Sequence, residues 1–182
     1  MKLLTYLMTL VMCIAIFRVK SFVFVDESGL NRQQIRLLAR AKRGVKVYAQ
    51  KRGKREKKVN IVAGFLYGET GKKYIAVRSY EHNTTAVFFE DWFEWELLAS
   101  VPENSVIIMD NAPFHRKRKL AEIAARYGVI VVFLPPYAPQ FNPIENAWAN
   151  FKKWLKYNHR SAHHKIVPII YAAYRAAAVT HE

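Results

Sequence analysis

Three acids, Asp26, Asp110 and Glu145, stand where the chain leaves a short apolar run or enters a helix. Asp26 follows Phe22–Val25 in FVFVDESG, Asp110 follows Ser105–Met109 in SVIIMDNAPFH, and Glu145 sits in NPIENAWANFKKW. Taken singly, each has an ordinary reading: Asp26 as a turn residue, Asp110 as an Asx turn or cap, Glu145 as the acid of a capping box. Gathered at one sheet edge, they suit other work. Carboxylates are hard oxygen ligands for Mg²⁺, and several together offset two cations about 3.5–4 Å apart across a reacting phosphate. The chemistry expected is metal-assisted phosphoryl transfer.

The elements around these acids are legible. Ser105–Met109 is short and continuously apolar, as in a strand buried on both faces, and it delivers Asp110 at its C-terminal end, the edge where open α/β sheets bind ligands. Leu120, Ile123 and Tyr127 recur at helical spacing before Gly128 as C-cap, and Val129–Leu134 reads as a second buried strand. A right-handed crossover sets the two strands parallel. After Pro135–Pro136, Asn142 is placed to cap a helix with Pro143 first and Glu145 at N3, whose buried stripe is Ile144, Trp148, Phe151 and Leu155.

DNAPFH followed by LPPYAPQFNPIENAW, with 34 residues between Asp110 and Glu145, resembles the catalytic domain of mariner-type transposases and their bacterial insertion-sequence relatives, the DDE superfamily endonucleases. The resemblance runs from Phe22 to about Tyr157. It implies a ribonuclease-H-like α/β fold, a mixed sheet flanked by helices, with the Asp26 strand central and the Asp110 strand beside it. It implies an Asp26, Asp110, Glu145 triad holding two Mg²⁺ ions, for which Mn²⁺ substitutes, with Asp26 bridging both. The implied reaction is hydrolysis at a transposon end followed by attack of the freed 3′-hydroxyl on target DNA. Asn111 and His115 fall to supporting roles, His115 orienting the substrate or a carboxylate. Relatives act as dimers that bring two ends together, so a homodimer is implied. Full-length relatives carry helix-turn-helix modules ahead of the first catalytic strand; nothing here resembles one, and an incomplete or second-frame product is expected.

Composition agrees with a nucleic-acid partner. The chain has 182 residues, 52% hydrophobic, with a formal charge of +15 and a pI near 10.0. That length suits one well-buried domain. Surface Lys and Arg gain affinity for phosphates by releasing condensed counterions, so DNA fits better than an acidic small molecule. A single cysteine, Cys13, excludes an intramolecular disulfide framework and a cysteine-rich zinc module. There is no Gly-rich phosphate loop and no Gly-x-Ser-x-Gly elbow. The expected location is cytoplasmic, on the nucleoid if the host is bacterial.

Residues 1–21 form an atypical segment, with no charge from Leu3 to Phe17, too short for a spanning helix and lacking a signal-cleavage motif. It reads as a consequence of where the start was placed, or as a helix or strand packing on the domain; membrane attachment rests on it alone. Residues 22–182 form the catalytic domain. Leu30–Lys58 is strongly basic, and Arg40, Lys42, Arg43, Lys51, Arg52, Lys54, Arg55, Lys57 and Lys58 are expected to contact the phosphate backbone of DNA, against the plainer reading of a solvated charged face.

Val59–Tyr67 and Lys72–Val77 read as a hairpin with a four-residue loop, and Thr84–Ser100 as a helix burying Phe88, Trp92, Trp95 and Ala99. Glu90, Asp91, Glu94 and Glu96 are expected to face solvent, the alternative being that any one of them is a rival metal ligand. His159, His163 and His164 lack a further ligand that would make a zinc site, and an alanine-rich helix is expected over residues 166–179. Two other readings remain: a DNA-binding fragment without turnover, and a different ribonuclease-H-like nuclease that cleaves without strand transfer.

Overall fold

A computed structural model describes residues 2–17, 19–30, 42–44, 46, 58–68, 71–136 and 138–158. In chain order these form α1 (Lys2–Phe17), β1 (Ser21–Leu30), β2 (Val59–Gly68), β3 (Gly71–Tyr80), α2 (Ala86–Trp92), β4 (Ser105–Met109), α3 (Lys117–Arg126), β5 (Ile130–Phe133) and α4 (Pro143–Asn158). The strands make one mixed sheet in the order β3-β2-β1-β4-β5. β1 is central, antiparallel to β2 and parallel to β4, and β5 is parallel to β4. This is the ribonuclease-H-like arrangement expected.

Both faces of the sheet are covered. Val23, Val25, Ile107 and Met109 point to one face, where Phe89, Trp92, Phe93 and Leu97 of α2 and its extension join Leu120, Ile123 and Ala124 of α3. On the other face α4 seats Ile144, Trp148 and Phe151 against Ile61, Ala63, Phe65 and Tyr74. α1 lies on that same face over β4 and β5, where Tyr6 and Cys13 pack with Val106, Ile108, Val132 and Leu134. No helix among the described residues is long and apolar enough to cross a membrane.

β1 is longer than the sequence suggests. It runs through Asp26-Glu27-Ser28-Gly29 to Leu30, and Asp26 pairs with Ala63 in mid-strand. The parallel ladder with β4 ends earlier, at Val25↔Met109. Asp26 therefore stands at the end of the β1–β4 ladder while β2 carries the strand onward. Likewise β2 and β3 pair as far as Gly68↔Gly71, so the ladder extends into the expected four-residue loop.

The expected straight helix over Thr84–Ser100 is three pieces. Thr85 caps α2, its Oγ1 accepting from Phe88 N at 3.3 Å. A π turn then spans Phe93–Leu97 and a 3₁₀ turn Leu98–Ser100. Trp95 is 69% exposed and Ala99 is also exposed, because Phe89 and Phe93 set the buried side and the wider turn then carries Leu97 and Leu98 onto it. Phe89, Trp92, Phe93, Leu97 and Leu98 form the buried side instead. Gly64 admits this packing: a Cβ there would meet Leu97 Cδ1 at 2.7 Å and Ile75 Cγ1 at 2.9 Å.

Two smaller expectations also change. Tyr127 is exposed because the α3 stripe ends through Ala124 and Tyr127 is already the C-cap. Gly128, expected as the cap, follows it in the left-handed region, with φ +66° and its N–H donating to Ala125 O at 3.1 Å.

Candidate active site

Parallel strands β1 and β4 end side by side, and α4 starts beside them. Asp26, Asp110 and Glu145 line one cleft of about 520 Å³ at that junction, together with Asn111, Leu134, Pro135, Ala138 and Asn142. Strand alternation sends Asp26 to the α4 face with Glu145 and sends its neighbour Glu27 to the opposite face, the face of α2 and α3. Pro143 opens α4, so Glu145 occupies the first turn, where the helix dipole favours an anion.

Asn142 does not cap α4 with its side chain. The Glu145 N–H donates to the Asn142 carbonyl at 3.1 Å, while Asn142 Nδ2 reaches Val25 O at 3.5 Å and so ties the start of α4 to β1 beside Asp26. The cleft wall opposite is tied by Asn111, whose Nδ2 donates to Leu134 O. Asn111 thus joins the end of β4 to the segment after β5.

The electrostatics are uneven. Burial, with the nearby charges of Glu145, Glu27 and Asp110, pushes the Asp26 carboxyl up to about 8 despite a backbone hydrogen bond that favours the anion. Asp110 is held below its ordinary value, chiefly by its hydrogen bond with His115, against the opposing effect of burial. Burial acts to lower the His115 value, but Asp110 and Glu27 on either side outweigh it and carry it up to about 9. At neutral pH the metal-free site therefore holds a proton on Asp26 and a charged imidazole beside Asp110.

His115 is enclosed. Its Nδ1 lies 3.1 Å from Asp110 O and 3.3 Å from Asp110 Oδ1, and its Nε2 lies 3.4 Å from Glu27 Oε1. The Phe89 and Phe114 rings lie 4.3 and 4.5 Å from the imidazole, centroid to centroid. Next to it, Arg116 forks onto Glu90 with Nε–Oε1 at 2.6 Å and Nη2–Oε2 at 2.5 Å. Glu90 is buried, not solvent-facing as expected, because Arg116 from the DNAPFHR loop supplies its counter-charge. Glu94 and Glu96 are likewise paired, with Arg126 and Arg78. Sequence reading passed over Glu27 and Arg116. The alternation that puts Glu27 opposite Asp26 was available as a signal; the reach of Arg116 to Glu90 was not.

Among the described residues, no three His, Cys, Asp or Glu side chains already converge as a metal cage. The donor set nevertheless fits hard divalent ions: three carboxylates share one cleft, and the most buried is protonated under its neighbours' charge, a state that a bound cation reverses. Of the expected DNA-contacting residues, Lys42, Arg43 and Lys58 are exposed. Arg40, Lys51, Arg52, Lys54, Arg55 and Lys57 lie outside the described residues, as do His159, His163 and His164 and the expected helix over 166–179.

Comparison with known proteins adds the family. No curated protein sequence matches the chain. Among solved structures, the Mos1 transposase paired-end complex with left transposon end superimposes with a TM-score of 0.65 at 16% identity, over 93% of this chain and 53% of that one. The Mos1 strand transfer complex gives 0.62 at 16% identity, over 86% and 47%. A simian T-cell lymphotropic virus intasome in complex with PP2A regulatory subunit B56 gamma gives 0.55 at 12%, over 85% and 47%. At such identities the likeness is one of fold, and the chain spans about half the length of these structures. A family model described as DDE superfamily endonuclease matches residues 21–166, most of the chain and all three cleft acids, and the chain belongs to that family.

Proposed function

We propose that this chain is the catalytic domain of a transposase that cleaves DNA at transposon ends and joins the freed 3′-hydroxyl to target DNA. The observation that carries the reading is the meeting of Asp26, Asp110 and Glu145 in one cleft, inside the span matched by the endonuclease family. Those three side chains would hold two Mg²⁺ ions, or Mn²⁺ in their place. Bound there, the metal supplies charge neutralisation at the phosphate and a lowered pKa for the attacking water or hydroxyl.

The protein's own residues prepare that chemistry. Asp26 surrenders its proton when positive charge enters the cleft, since the burial and repulsion that raised its pKa are then offset. His115 and the Ala112 N–H hold the Asp110 carboxylate, and Asn111 and Asn142 keep the cleft walls in place. The partner proposed is DNA, with basic residues of the Leu30–Lys58 stretch on its backbone. Both Mos1 structures above are described as transposition complexes, one of paired ends, which supports this partner and a homodimer that brings two ends together. The location proposed with this reading is cytoplasmic, on the nucleoid if the host is bacterial.

Calorimetric titration of Mn²⁺ into the purified chain, wild type against Asp110→Ala, tests the metal site. Binding by the wild type that the variant loses supports the reading, with nonspecific DNA retention in a gel shift unchanged. A folded wild type that binds DNA but no Mn²⁺ would sink it and leave a DNA-binding fragment without turnover. Nicked plasmid without strand-transfer product would point to a different ribonuclease-H-like nuclease.

A further inference from the structure

Asp26 and Glu27 are adjacent acids with opposite surroundings. Alternation along β1 places Asp26 in the cleft and Glu27 under the sheet edge among the residues of α2 and the DNAPFH loop. Glu27 does not line the cleft. It instead lies 3.4 Å from His115 Nε2, and the other nitrogen of the same ring lies 3.3 Å from Asp110 Oδ1. The imidazole cannot readily turn away, since its side chain is 1% exposed and lies between the Phe89 and Phe114 rings.

The consequence falls on Asp110. Its Oδ1 is already occupied, accepting from Ala112 N at 3.0 Å and facing His115 Nδ1. Among the described residues, Oδ2 accepts no hydrogen bond. The Asp110 side chain is half exposed toward the cleft, so its second oxygen is the one a ligand meets.

We propose that Glu27 is a positioning residue which, through His115, fixes the Asp110 carboxylate so that Oδ1 is held by the protein and Oδ2 alone is offered to a divalent cation in the cleft. The inference rests on the metal-site reading above and extends it to a residue outside the cleft. Carboxylate–histidine–ligand chains of this kind orient ligands in metalloproteins, and loss of the outer partner typically lowers metal affinity 10–100-fold. Here the chain of contacts runs the same way, with the ligating group a carboxylate held by the histidine.

The test uses the full chain and Mn²⁺ alone as probe, followed by calorimetry, with circular dichroism confirming the fold of each variant. Glu27→Ala is expected to weaken Mn²⁺ binding by about tenfold, and Glu27→Gln, which keeps an oxygen facing His115 Nε2, to restore most of it. Nonspecific DNA retention in a gel shift should stay at the wild-type level in both. Because Glu27 acts through His115, the double variant Glu27→Ala/His115→Ala should bind Mn²⁺ no more weakly than His115→Ala alone. Wild-type affinity in folded Glu27→Ala, or losses that add in the double variant, would overturn the proposal and leave the metal site standing. Absence of Mn²⁺ binding by the folded wild type would overturn the metal-site reading and this proposal with it. Should Glu27→Ala fail to fold, Glu27→Asp serves in its place: its shorter side chain withdraws the carboxylate from His115, and an unchanged affinity would again count against the proposal.

Discussion

The acids on the two faces of the sheet are treated in opposite ways. Beside α2 and α3, each buried or half-buried acid has a cation: Glu90 has Arg116, Glu94 has Arg126, and Glu27 has His115. On the α4 side and at the sheet edge, Asp26 and Glu145 line one cleft, and the effect of Glu145 on Asp26 is repulsive. A fold that pairs its acids on one face, and gives Asp110 at the cleft His115, but leaves Asp26 crowded by Glu145 holds Asp26 there at a cost in stability, which is the mark of a site kept for a ligand rather than for folding.

The sharpest way to break this contrast is to neutralise acids on each side. Asp26→Asn, Asp110→Asn or Glu145→Gln should each lower DNA nicking with Mn²⁺ on the order of a thousandfold, the scale of removing a stabiliser of transition-state charge, while leaving the chain folded. Glu94→Gln removes an acid of the opposite face, partnered by Arg126, and should leave nicking within about threefold while weakening only a partly exposed ion pair. Equal losses on both faces, read on a plasmid-relaxation gel, would erase the distinction.

Stability against pH tests the same contrast without DNA. Asp26 is raised from 3.8 to about 8, so the metal-free folded chain keeps a proton that the unfolded chain releases. The resulting stabilisation is complete below pH 3.8 and is lost as pH rises through 8. His115 adds a second loss in the same direction: raised from 6.5 to about 9, its contribution is full below 6.5 and gone above 9. Thermal melts of metal-free protein between pH 5 and 9 should therefore show a falling midpoint, and Asp26→Asn should flatten the lower part of that fall. On the proposed metal site, saturating Mn²⁺ should reverse the trend in the wild type, since ligation requires the deprotonated acids. A midpoint that rises with pH in metal-free wild type would contradict the crowding of the cleft.

Much of this site is legible in the sequence alone, and the reason is local. Asp110 and Glu145 sit next to strong punctuation, an all-apolar five-residue strand in one case and Asn-Pro in the other, so their placement needed little tertiary information. Asp26 was found, but its setting was misread, because DESG looks like a turn until β2 is present to carry the strand through it. The parallel β4–β5 pair and the β2–β3 hairpin followed from apolar runs and short connections, whereas the central place of β1 beside β4 came with the family resemblance. What escaped was long-range: Arg116 meeting Glu90 across 26 positions, Glu27 meeting His115 across 88, and Asn142 bonding to β1 instead of capping its own helix. The π turn escaped as well. No residue in FEWEL announces a wider turn, and only the approach of Leu97 to Gly64 shows how it is accommodated.

The tryptophans carry the comparison to its smallest scale, for they divide between the two faces and the solvent. Trp92 is fully buried on the α2 side, and its Nε1–H donates to Ala76 O at 2.8 Å, at a residue with φ +49° beside the irregularity in the β2–β3 ladder. Trp148 is as deeply buried on the α4 side, but its Nε1–H has no partner among the described residues. Replacing either by Phe removes similar apolar volume. Only Trp92→Phe also strips a carbonyl of its donor, so it should cost about 1–3 kcal/mol more than Trp148→Phe in chemical denaturation. Trp95, exposed on the π turn, should be the mildest of the three: Trp95→Ala is expected to move stability by no more than about 0.5 kcal/mol. That last value decides how the turn is read. A helix phased on Phe88, Trp92, Trp95 and Ala99 would bury Trp95 beside Trp92, and truncating it would then cost about 3–5 kcal/mol, as for any large core aromatic. A loss of that size would put Trp95 in the core; a near-neutral result keeps Phe89 and Phe93 as the buried side, with Leu97 over Gly64 and Glu90 turned in toward Arg116 and the loop that carries His115.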